Sequence, residues 1–472
     1  MSISIVPGMF MFLYAFKMVL LGMRTKIFVI SFGCASSMAD GNMLAGCLAE
    51  AGFEITESID EAQVVIVNTC AVKGPTENRM ISFLSKIPSD KKLIVAGCLP
   101  LINFARLQRE VRFDGVVGPA FAERIADIVK RVLEGEKVIE LSNALKTKPR
   151  LDLPCIRQNR FVDITPIAYG CLGECAYCCV RFARGKLRSY SIDEIVKRIK
   201  RSLDEGVREI WLCGQDTAIY GRDLGVNLPR LLREICSINS HSFLVRIGMM
   251  RPDHTLEILD ELIEVYADFG GERRFSEIAE EGGHGGCLFW FLHLPVQSGD
   301  DDVLTKMRRE YTVSDFKQIV EAFRRRLGES LCLATDVIVG FPGETEEAFE
   351  NTLRLIKEVK PDIVNVSKFF ARPGTEAEKM EPKIDNKTIK ERSKIASEVA
   401  LKIGLERNRN WQGWEGYVFL DKKGLKPNSQ IGRNYAYKPI VIRDNDENFG
   451  RFLKIIAGKA YSTYLEAIPL SS

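Results

Sequence analysis

The first part of the chain alternates short apolar runs with segments of helical periodicity. Between Lys26 and about residue 145 the apolar runs are KIFVISF, VVIVN and KLIVAG. Strands that are buried on both faces read as continuous apolar runs, and their alternation with helices is typical of a parallel α/β sheet. The charged, proline-containing segment Lys146–Arg150 then predicts a domain boundary.

A second, longer block repeats the strand and helix pattern six times. Between Phe161 and about residue 370 the strand-like runs are VDITPIA, EIWLC, FLVRIG, LFWFLHLPV, LCLATDVIV and IVNVSKFF. Six such units predict an open partial barrel, (βα)6, with its active site at the carboxyl ends of the strands. The charged, glycine-flanked stretch Asp268–Gly286 is predicted to be a surface insertion in which His284 is solvated.

The last block, from Trp411 to Ser472, has the pattern of a small all-β barrel. Its strand-like runs are GYVFL, KPIVI and FLKIIAG. Basic and aromatic residues are interleaved there, as suits unpaired RNA bases, although an ordinary solvated surface is the alternative interpretation. The residues are Lys422, Lys423, Lys426, Arg433, Lys438, Arg443, Arg451, Lys454 and Lys459, with Tyr417, Tyr435, Tyr437 and Phe449.

These patterns together predict an α/β chain of three domains. We expect an N-terminal parallel α/β domain over residues 24–145, a central (βα)6 partial barrel over 155–400 and a small C-terminal β-barrel over 405–472. An extension, residues 1–23, precedes them. Its apolar run MFMFLYAFKMVLLGM is shorter than the ~20 residues that span a bilayer and contains Lys17, so we expect no stable membrane insertion.

Composition and charge narrow the class of protein. The chain has 472 residues and a net charge of only +3, so a nucleic-acid partner would have to be held by a local basic surface. Its 13 cysteines are an odd number spread over a long chain, which is not the pattern of a secreted disulfide framework. We therefore expect a cytoplasmic protein in a reducing environment.

Three cysteines lie close together after the first strand of the central block. Cys171, Cys175 and Cys178 have C-x3-C-x2-C spacing within the run GCLGECAYCCVRFARG. Three thiolates can bind three irons of a 4Fe-4S cluster and leave the fourth iron open to a small molecule. The alternative is a structural zinc site, for which the local fourth ligand would be Cys179, strained by its adjacency to Cys178.

A second set of three cysteines follows the apolar runs of the N-terminal block. Cys34, Cys70 and Cys98 each occupy the turn directly after one of the three predicted strands. Because the carboxyl ends of parallel strands meet at one edge of a sheet, these residues are expected to lie near one another and to act as ligands. The alternative is that each is a small buried apolar residue.

Polar, glycine-containing motifs fall at the predicted carboxyl ends of the other strands in the central block. They are GQD after the second strand, RIG at the third, PVQSG after the fourth and VGFPG after the fifth. Each motif alone is a weak signal, because such turns commonly follow strands. Together with the cysteine loop they predict one pocket.

From Met23 onward the chain resembles the methylthiotransferases of the radical S-adenosylmethionine (SAM) superfamily. FGC, NTCAV and GC resemble the auxiliary-cluster motifs of that family, GCLGECAYCCVRFARG its SAM-cluster loop, HLPVQSG and DVIVGFPGET its barrel motifs, and the last block its TRAM-like RNA-binding barrel. WLCGQDTAIYG, VRIGMM and SKFFARPGTEA resemble its archaeal and eukaryotic branch. The sequence departs from the family at Ser37, where asparagine is usual, and in the insertion before Leu288.

The resemblance implies an enzyme that converts N6-threonylcarbamoyladenosine beside the tRNA anticodon to its 2-methylthio derivative. It implies two 4Fe-4S clusters, one on Cys34, Cys70 and Cys98 and a catalytic one on Cys171, Cys175 and Cys178. Its other expected partners are SAM, the tRNA anticodon loop and a reductant protein such as a ferredoxin or flavodoxin, and we expect a monomer. Two other functions compete: a ribosomal-protein methylthiotransferase, and a non-catalytic zinc-bearing RNA-binding protein.

Position at strand ends and the resemblance together suggest which further residues bind the ligands. The SAM-binding candidates are Tyr177, Gly214, Gln215, Asp216, Arg246, Gln297 and Gly340. Arg372, beside the last predicted barrel strand, is the candidate partner for the carboxylate of the modified nucleoside through a bidentate ion pair.

Overall fold

A computed structural model describes residues 24–70, 74–141, 147–281, 283–424, 426–443 and 448–470. The chain divides into two compact units, one formed by residues up to Gln158 together with Cys179–Lys186, and the other by Asn159–Cys178 and the chain from Leu187 onward. The predicted N-terminal extension lies outside the described residues. No helix within the described part of the chain is long and apolar enough to cross a bilayer.

The first unit contains a six-stranded, all-parallel sheet with the strand order β2-β1-β3-β4-β5-β6. Its strands are β1 (Lys26–Ser31), β2 (Glu54–Thr56), β3 (Val64–Thr69), β4 (Lys92–Gly97), β5 (Gly115–Val117) and β6 (Val138–Glu140). Its helices are α1 (Ala35–Glu50), α2 (Gly74–Leu84), α3 (Leu99–Ile102), α4 (Phe104–Glu110), α5 (Ile125–Leu133) and α6 (Val180–Arg184). These helices cover the sheet with apolar faces. In α5, for example, Ile125, Ile128, Val129 and Val132 recur at helical spacing and are all buried.

The second unit begins with the partial barrel, whose strands form two parallel sheets. One sheet has the order β12-β11-β10-β7 and the other β13-β14-β15. Strands β8 and β9 form a short antiparallel pair, joined by a long connection that includes the cysteine loop. The strands are β7 (Val162–Pro166), β8 (Ala168–Tyr169), β9 (Arg188–Ser189), β10 (Glu209–Cys213), β11 (Ser242–Ile247), β12 (Gly285–Leu288), β13 (Phe291–His293), β14 (Cys332–Val339) and β15 (Ile363–Lys368).

Helices separate these strands along the chain, as the sequence pattern predicts. They are α7 (Ile192–Asp204), α8 (Leu228–Cys236), α9 (Pro252–Leu256), α10 (Leu259–Phe269), α11 (Gly271–Glu281), α12 (Asp301–Lys306), α13 (Val313–Leu327), α14 (Glu346–Val359) and α15 (Asn386–Arg409). Several begin with a side-chain cap; Ser191 and Glu194, for example, form a capping box at the start of α7.

The fourth predicted barrel strand, LFWFLHLPV, is split into β12 and β13. Phe289 and Trp290 lie between the two pieces, where the Trp290 N–H donates to the backbone carbonyl of Tyr435 at 2.8 Å. The Phe289 ring lies 4.8 Å from that of Tyr437. The strand is therefore interrupted where its backbone and side chains bind the C-terminal barrel.

The C-terminal barrel is closed and five-stranded, in the order β16-β17-β18-β20-β19. Its strands are β16 (Glu415–Lys423), β17 (Ser429–Arg433), β18 (Pro439–Arg443), β19 (Phe452–Ala460) and β20 (Leu465–Pro469). All pairs are antiparallel except β18 with β20. The predicted fold class, an α/β chain with a parallel N-terminal domain, a (βα)6 partial barrel and a small all-β barrel, is confirmed.

The small barrel packs against the amino-terminal ends of the partial-barrel strands. Trp411, Phe419 and Tyr437 share one apolar cluster with Leu244 of β11 and Phe291 of β13. The cysteine loop follows the opposite, carboxyl ends of these strands. Docking of the small barrel therefore leaves the carboxyl ends, where the predicted pocket lies, uncovered by this apolar contact.

This docking corrects part of the predicted RNA-binding surface. Tyr435 and Tyr437 are buried in the shared apolar cluster, so their rings are not free to stack on bases. Lys438 is also buried, and its Nζ contacts the Asp362 carboxylate at 2.6 Å, so its charge is used inside the protein rather than for binding RNA. Lys422, Lys423, Lys426, Arg443, Arg451, Lys454 and Lys459 are exposed.

The predicted surface insertion is also corrected. Asp268–Gly286 is mostly helical, with α11 at its centre, and Phe275 and Ile278 of that helix are buried in the same apolar cluster. The Phe275 ring lies 5.4 Å from that of Phe452 in β19. The many charges of the segment mark the outer face of the helix, and His284 is exposed as expected.

Glu209, at the start of β10, is a buried acid at the contact between the two barrels. Its Oε1 accepts a hydrogen bond from the Trp211 indole, while Oε2 is buried without a partner within the described residues. Burial, followed by the nearby Asp421 carboxylate, raises the pKa of Glu209 to about 7, and Arg433 and Arg246 oppose the shift. The folded protein therefore retains a proton on Glu209 that the unfolded chain loses near pH 4.5.

We expect Glu209→Gln to stabilise the second unit at pH 8 relative to the unchanged protein, and to have little effect near pH 5. The folded-state pKa lies above the unfolded one, so the unchanged protein loses stability as pH rises from about 4.5 to 7, by a few kcal/mol at most. Unfolding followed by tryptophan fluorescence measures this directly, since all four tryptophans, Trp211, Trp290, Trp411 and Trp414, belong to this contact. A gain that is equal at both pH values, or one matched by the exposed control Glu350→Gln, would contradict the assignment.

Candidate functional site

The three cysteines of the first unit are brought together by the parallel sheet. Cys34 begins α1 after β1, Cys70 follows β3, and Cys98 follows β4. Gly33 has a φ of +121°, and a Cβ placed on it would lie 2.3 Å from the Cβ of Cys70. The loop carrying Cys34 therefore passes directly over Cys70, and any larger residue at position 33 would push it away.

The third cysteine is held to the same edge by its backbone. The Cys98 N–H donates to the carbonyl of Thr69 at 3.0 Å. Gly97 has a φ of +94°, and its missing Cβ would lie 2.4 Å from that same carbonyl oxygen. Burial raises the pKa of the Cys98 thiol to about 12, and the positive charge of Arg184 opposes the shift. A thiol in this setting becomes a thiolate only when a cation binds it.

Buried polar side chains that were not predicted as site residues lie close to these cysteines. Ser37, the departure from the family pattern, is buried and donates its hydroxyl to the Phe32 carbonyl at 2.9 Å, which fixes the turn before Cys34. The Asn68 amide donates to the Ser37 carbonyl at 2.5 Å. A buried ion pair joins Arg184 to Asp40 at 2.5 Å.

The three cysteines of the second unit lie on a loop that follows β8. The Gly173 N–H donates to the Cys171 sulfur at 3.2 Å, and the Cys178 N–H donates to the Cys175 carbonyl at 3.0 Å. Between them, Ala176 is buried; its N–H donates to the Met307 carbonyl at 3.0 Å, and its carbonyl accepts from the Ala377 N–H at 2.9 Å. The loop is thus fixed to the segments that follow β13 and β15.

The donor set of this loop fits an iron–sulfur cluster better than zinc. Cys179, the fourth ligand that a local zinc site would use, is only 2% exposed and packs in an apolar cluster of the first unit with Leu99. Hydrogen bonds to ligand sulfur atoms, such as that from Gly173 to Cys171, are characteristic of iron–sulfur proteins.

Burial also makes the thiol of Cys171, the first cysteine of this loop, harder to deprotonate. It raises the pKa of the Cys171 thiol to about 11, with a further contribution from the Asp216 carboxylate, and the Gly173 N–H opposes the shift. A bound cation, such as an iron of an iron–sulfur cluster, would therefore favour the charged form of the Cys171 sulfur.

Arg251 lies directly over the loop. Its Nη1 is 3.6 Å from the Cys175 sulfur, and a Cβ on Gly173 would lie only 2.0 Å from the same nitrogen. Glycine at position 173 therefore leaves the space that the guanidinium group occupies. Arg251 is held in place by two hydrogen bonds to Asp253, from Nε to Oδ1 at 3.1 Å and from Nη2 to Oδ2 at 2.5 Å.

The predicted motif GQD after β10 lies beside the cysteine loop. Gln215 Oε1 accepts from the Gly170 N–H at 2.7 Å, and Gly214 precedes it in the same turn. Asp216 is buried; its Oδ1 accepts from the Arg251 N–H at 3.1 Å and its Oδ2 lies 2.6 Å from His254 Nδ1. This motif orients its neighbours through hydrogen bonds.

Tyr177, Gln297 and Gly340 also lie around the carboxyl ends of the strands. The Tyr177 hydroxyl accepts from Arg309 Nη2 at 2.5 Å. Gln297 has a φ of 69° and joins the strand ends by its backbone, donating to Asp336 and accepting from Ile338. Gly340 has a φ of +78°, and its N–H donates to Glu344 at 2.7 Å.

Arg246 is placed elsewhere. Its guanidinium carbon lies 5.2 Å from the Trp211 ring, 5.0 Å from that of Phe291 and 5.3 Å from that of Tyr437. These rings belong to the contact with the small barrel, so the structure does not bring Arg246 together with the cysteine loop. Arg372 is buried, with its guanidinium carbon 5.7 Å from the Phe370 ring.

Comparison with known proteins shows the family. Residues 165–356 match the Radical SAM superfamily and residues 26–118 match "Uncharacterized protein family UPF0004". A "Probable threonylcarbamoyladenosine tRNA methylthiotransferase" of Pyrococcus horikoshii is 41% identical over 443 residues, which cover 93% of this chain and 98% of the relative. The human "Threonylcarbamoyladenosine tRNA methylthiotransferase" is 33% identical over 457 residues, covering 94% of this chain and 74% of that protein.

The chain belongs to the threonylcarbamoyladenosine tRNA methylthiotransferase family. The resemblance seen in the sequence is thereby confirmed. Membership of the Radical SAM superfamily implies a 4Fe-4S cluster and SAM. Among solved structures, the radical SAM methyltransferase TsrM of Kitasatospora setae shares the fold, with a TM-score of 0.51 and 13% identity over 87% of this chain and 77% of that protein.

In this member of the threonylcarbamoyladenosine tRNA methylthiotransferase family, sequence reasoning missed several polar residues at the strand ends. Arg251, His254 and Arg309 contact predicted site residues, and each lies within about a dozen residues after a barrel strand or its closing turn. Position after a strand was the available signal. A further group, formed by His293, Asp336 and Asn365, joins β13, β14 and β15 through the Asp336 carboxylate, at 3.2 Å and 2.7 Å.

Proposed function

We propose that this protein is a radical SAM enzyme that converts N6-threonylcarbamoyladenosine next to the tRNA anticodon to its 2-methylthio derivative. The observation that carries the proposal is the pair of three-cysteine sets, one following the ends of three parallel strands and the other on the loop after β8, in a chain whose relatives bear that name. Those names favour tRNA over a ribosomal protein as the substrate. The buried position of Cys179 speaks against the zinc-bearing alternative.

The two cysteine sets are proposed to hold separate clusters. Cys171, Cys175 and Cys178 would bind the cluster that takes SAM, and Cys34, Cys70 and Cys98 would bind the auxiliary one. When bound, the first cluster and SAM supply the one-electron chemistry needed to remove an unactivated hydrogen, which acid–base groups cannot do.

The chain's own residues position the reactants. Gly173 and Arg251 direct N–H groups at two of the sulfurs, Cys171 and Cys175. Gly214, Gln215, Asp216, Tyr177, Gln297 and Gly340 are proposed to form the SAM pocket by their placement around the same strand ends. We retain Arg372 as the proposed partner of the nucleoside carboxylate, since it follows β15 near the segment that binds Ala176.

The remaining parts of the proposal concern organisation and partners. We assign residues 24–145, 155–400 and 405–472 to the auxiliary-cluster, radical SAM and RNA-binding domains. The proposed RNA surface consists of the exposed basic residues of the small barrel: Lys422, Lys423, Lys426, Arg443, Arg451, Lys454 and Lys459. Lys454 lies 5.8 Å from the Tyr417 ring, and such pairs of charge and ring suit unpaired bases. A ferredoxin or flavodoxin is proposed as the electron source, and the enzyme as a cytoplasmic monomer.

Mass spectrometry of tRNA nucleosides tests the function. In cells lacking the gene, we expect the 2-methylthio nucleoside to disappear and unthiolated N6-threonylcarbamoyladenosine to accumulate. The unchanged gene should restore the product, whereas Cys175→Ala should not, because it removes a proposed cluster ligand. An unchanged tRNA profile with a mass shift in a ribosomal protein would refute the substrate, and loss of an isopentenyl derivative instead would refute the branch.

Gly33→Ala tests the auxiliary site. The added methyl group meets Cys70 at 2.3 Å in a backbone conformation that L-residues rarely adopt, so we expect reconstituted iron to fall toward half while SAM cleavage persists. Gly52→Ala is the matched control, since Gly52 also has a positive φ of +91° but nothing lies within 4 Å of its missing Cβ. Equal iron content in the two variants would contradict the proposed site.

A further inference from the structure

Arg309 places a guanidinium group with unused donors beside the cysteine loop of the second unit. Its Nη2 donates to the Tyr177 hydroxyl at 2.5 Å, and Tyr177 lies between Cys175 and Cys178 in the chain. The residue is partly exposed, but its Nε and Nη1 atoms have no access to solvent and no hydrogen-bond partner within the described residues. Two nitrogen atoms of a permanently charged group, which carry three N–H donors between them, are therefore unsatisfied.

Two arginines place positive charge beside the cysteine loop. Arg251 and Arg309 both lie close enough to Cys175 for electrostatic interaction, and Arg251 uses the Asp253 carboxylate through two hydrogen bonds. Within the described residues, no carboxylate forms a hydrogen bond with Arg309. The Asp253 carboxylate lies within electrostatic range of Arg309 without a hydrogen bond to it, and the rings of Tyr177, at 5.7 Å, and Tyr311, at 5.8 Å, lie against its guanidinium group.

An unsatisfied guanidinium beside the cysteine loop would be stabilised by a bound anion. Each inaccessible N–H without a partner is destabilising, and arginine cannot avoid this cost by losing its proton. A 4Fe-4S cluster on three thiolates carries net negative charge, and reduction adds one more. A positive charge held close to the sulfurs stabilises the reduced form more than the oxidised one.

We propose that Arg309, acting with Arg251, raises the reduction potential of the cluster held by Cys171, Cys175 and Cys178. Both are positioning residues, because they act on the cluster through its sulfur ligands and the surrounding field. The inference rests on the proposed function, which puts a cluster on this loop. The other anion that could satisfy Arg309 is the carboxylate of SAM, and the experiment separates the two.

The test is a redox titration of the anaerobically reconstituted full-length protein without SAM, followed by electron paramagnetic resonance. The relevant signal is the one that is missing from Cys175→Ala. In Arg309→Gln we expect reduction of this cluster to become at least tenfold less favourable, a shift of about 59 mV to more negative potential for one electron. Arg309→Lys keeps the charge and should remain close to the unchanged protein.

Two controls isolate the charge of Arg309. Arg308→Gln removes the neighbouring arginine, which is exposed and pairs with Glu376 at 2.7 Å, so it should leave the potential unchanged. Tyr177→Phe removes the hydrogen bond to Arg309 but keeps its charge, and should shift the potential much less than Arg309→Gln. Iron and sulfide content confirms that each variant holds its clusters.

The outcomes are distinct. An unchanged potential in Arg309→Gln would overturn the proposal. Weaker SAM binding by the same variant would then assign Arg309 to the SAM carboxylate. An equal shift in Arg308→Gln would also overturn it, because a distributed charge effect would then account for the result. Failure of the unchanged protein to hold any cluster on this loop would refute the proposed function and this inference together.

Discussion

Parallel strand pairing is the constraint on which both sites depend. In the first unit, Ser31 pairs with Asn68 and Thr69 pairs with Gly97, so the three central strands end in register. Cys34, Cys70 and Cys98 follow those ends within a few residues, and positive-φ glycines let the turns approach closely. In the second unit, parallel pairing of β7 with β10 brings the cysteine loop and the GQD motif together, where the Gly170 N–H donates to Gln215 Oε1. In the first unit, sulfur ligands that are distant in sequence reach one edge of the sheet without disulfides.

The opposite ends of the partial-barrel strands are committed to a different task. There the small barrel docks through Trp411, Tyr435 and Tyr437, and the strand between β12 and β13 breaks to receive it. Lys438 and Arg407 both bind the buried Asp362 carboxylate, which secures the small barrel and α15 to the segment before β15. The cysteine loop and the docked small barrel therefore lie at opposite ends of the partial-barrel strands, and the exposed face of the small barrel is the face available for the proposed RNA contact.

The local features of the sequence were enough to predict the fold class and the three central strands of the N-terminal sheet, each followed by one of the cysteines Cys34, Cys70 and Cys98. Apolar periodicity and cysteine spacing are short-range signals, and parallel topology converts them into a common edge. The direction of Arg246, the burial of Tyr435 and Tyr437, and the helix within Asp268–Gly286 were not predictable in this way. Each depends on which surface another domain covers, and that is decided by tertiary packing of residues far apart in the chain. Arg251 and Arg309 lacked a motif of their own and were recognised only by their distance from the loop.

Iron and acid-labile sulfide in the anaerobically reconstituted full-length protein show directly whether two clusters bind to the two separate cysteine sets. We expect about eight of each per chain, or about four per cluster. Replacing Cys34, Cys70 and Cys98 together by alanine should leave about half of the iron and preserve SAM cleavage. Zinc at about one per chain with no iron would contradict the account, as would iron content that is insensitive to the triple replacement.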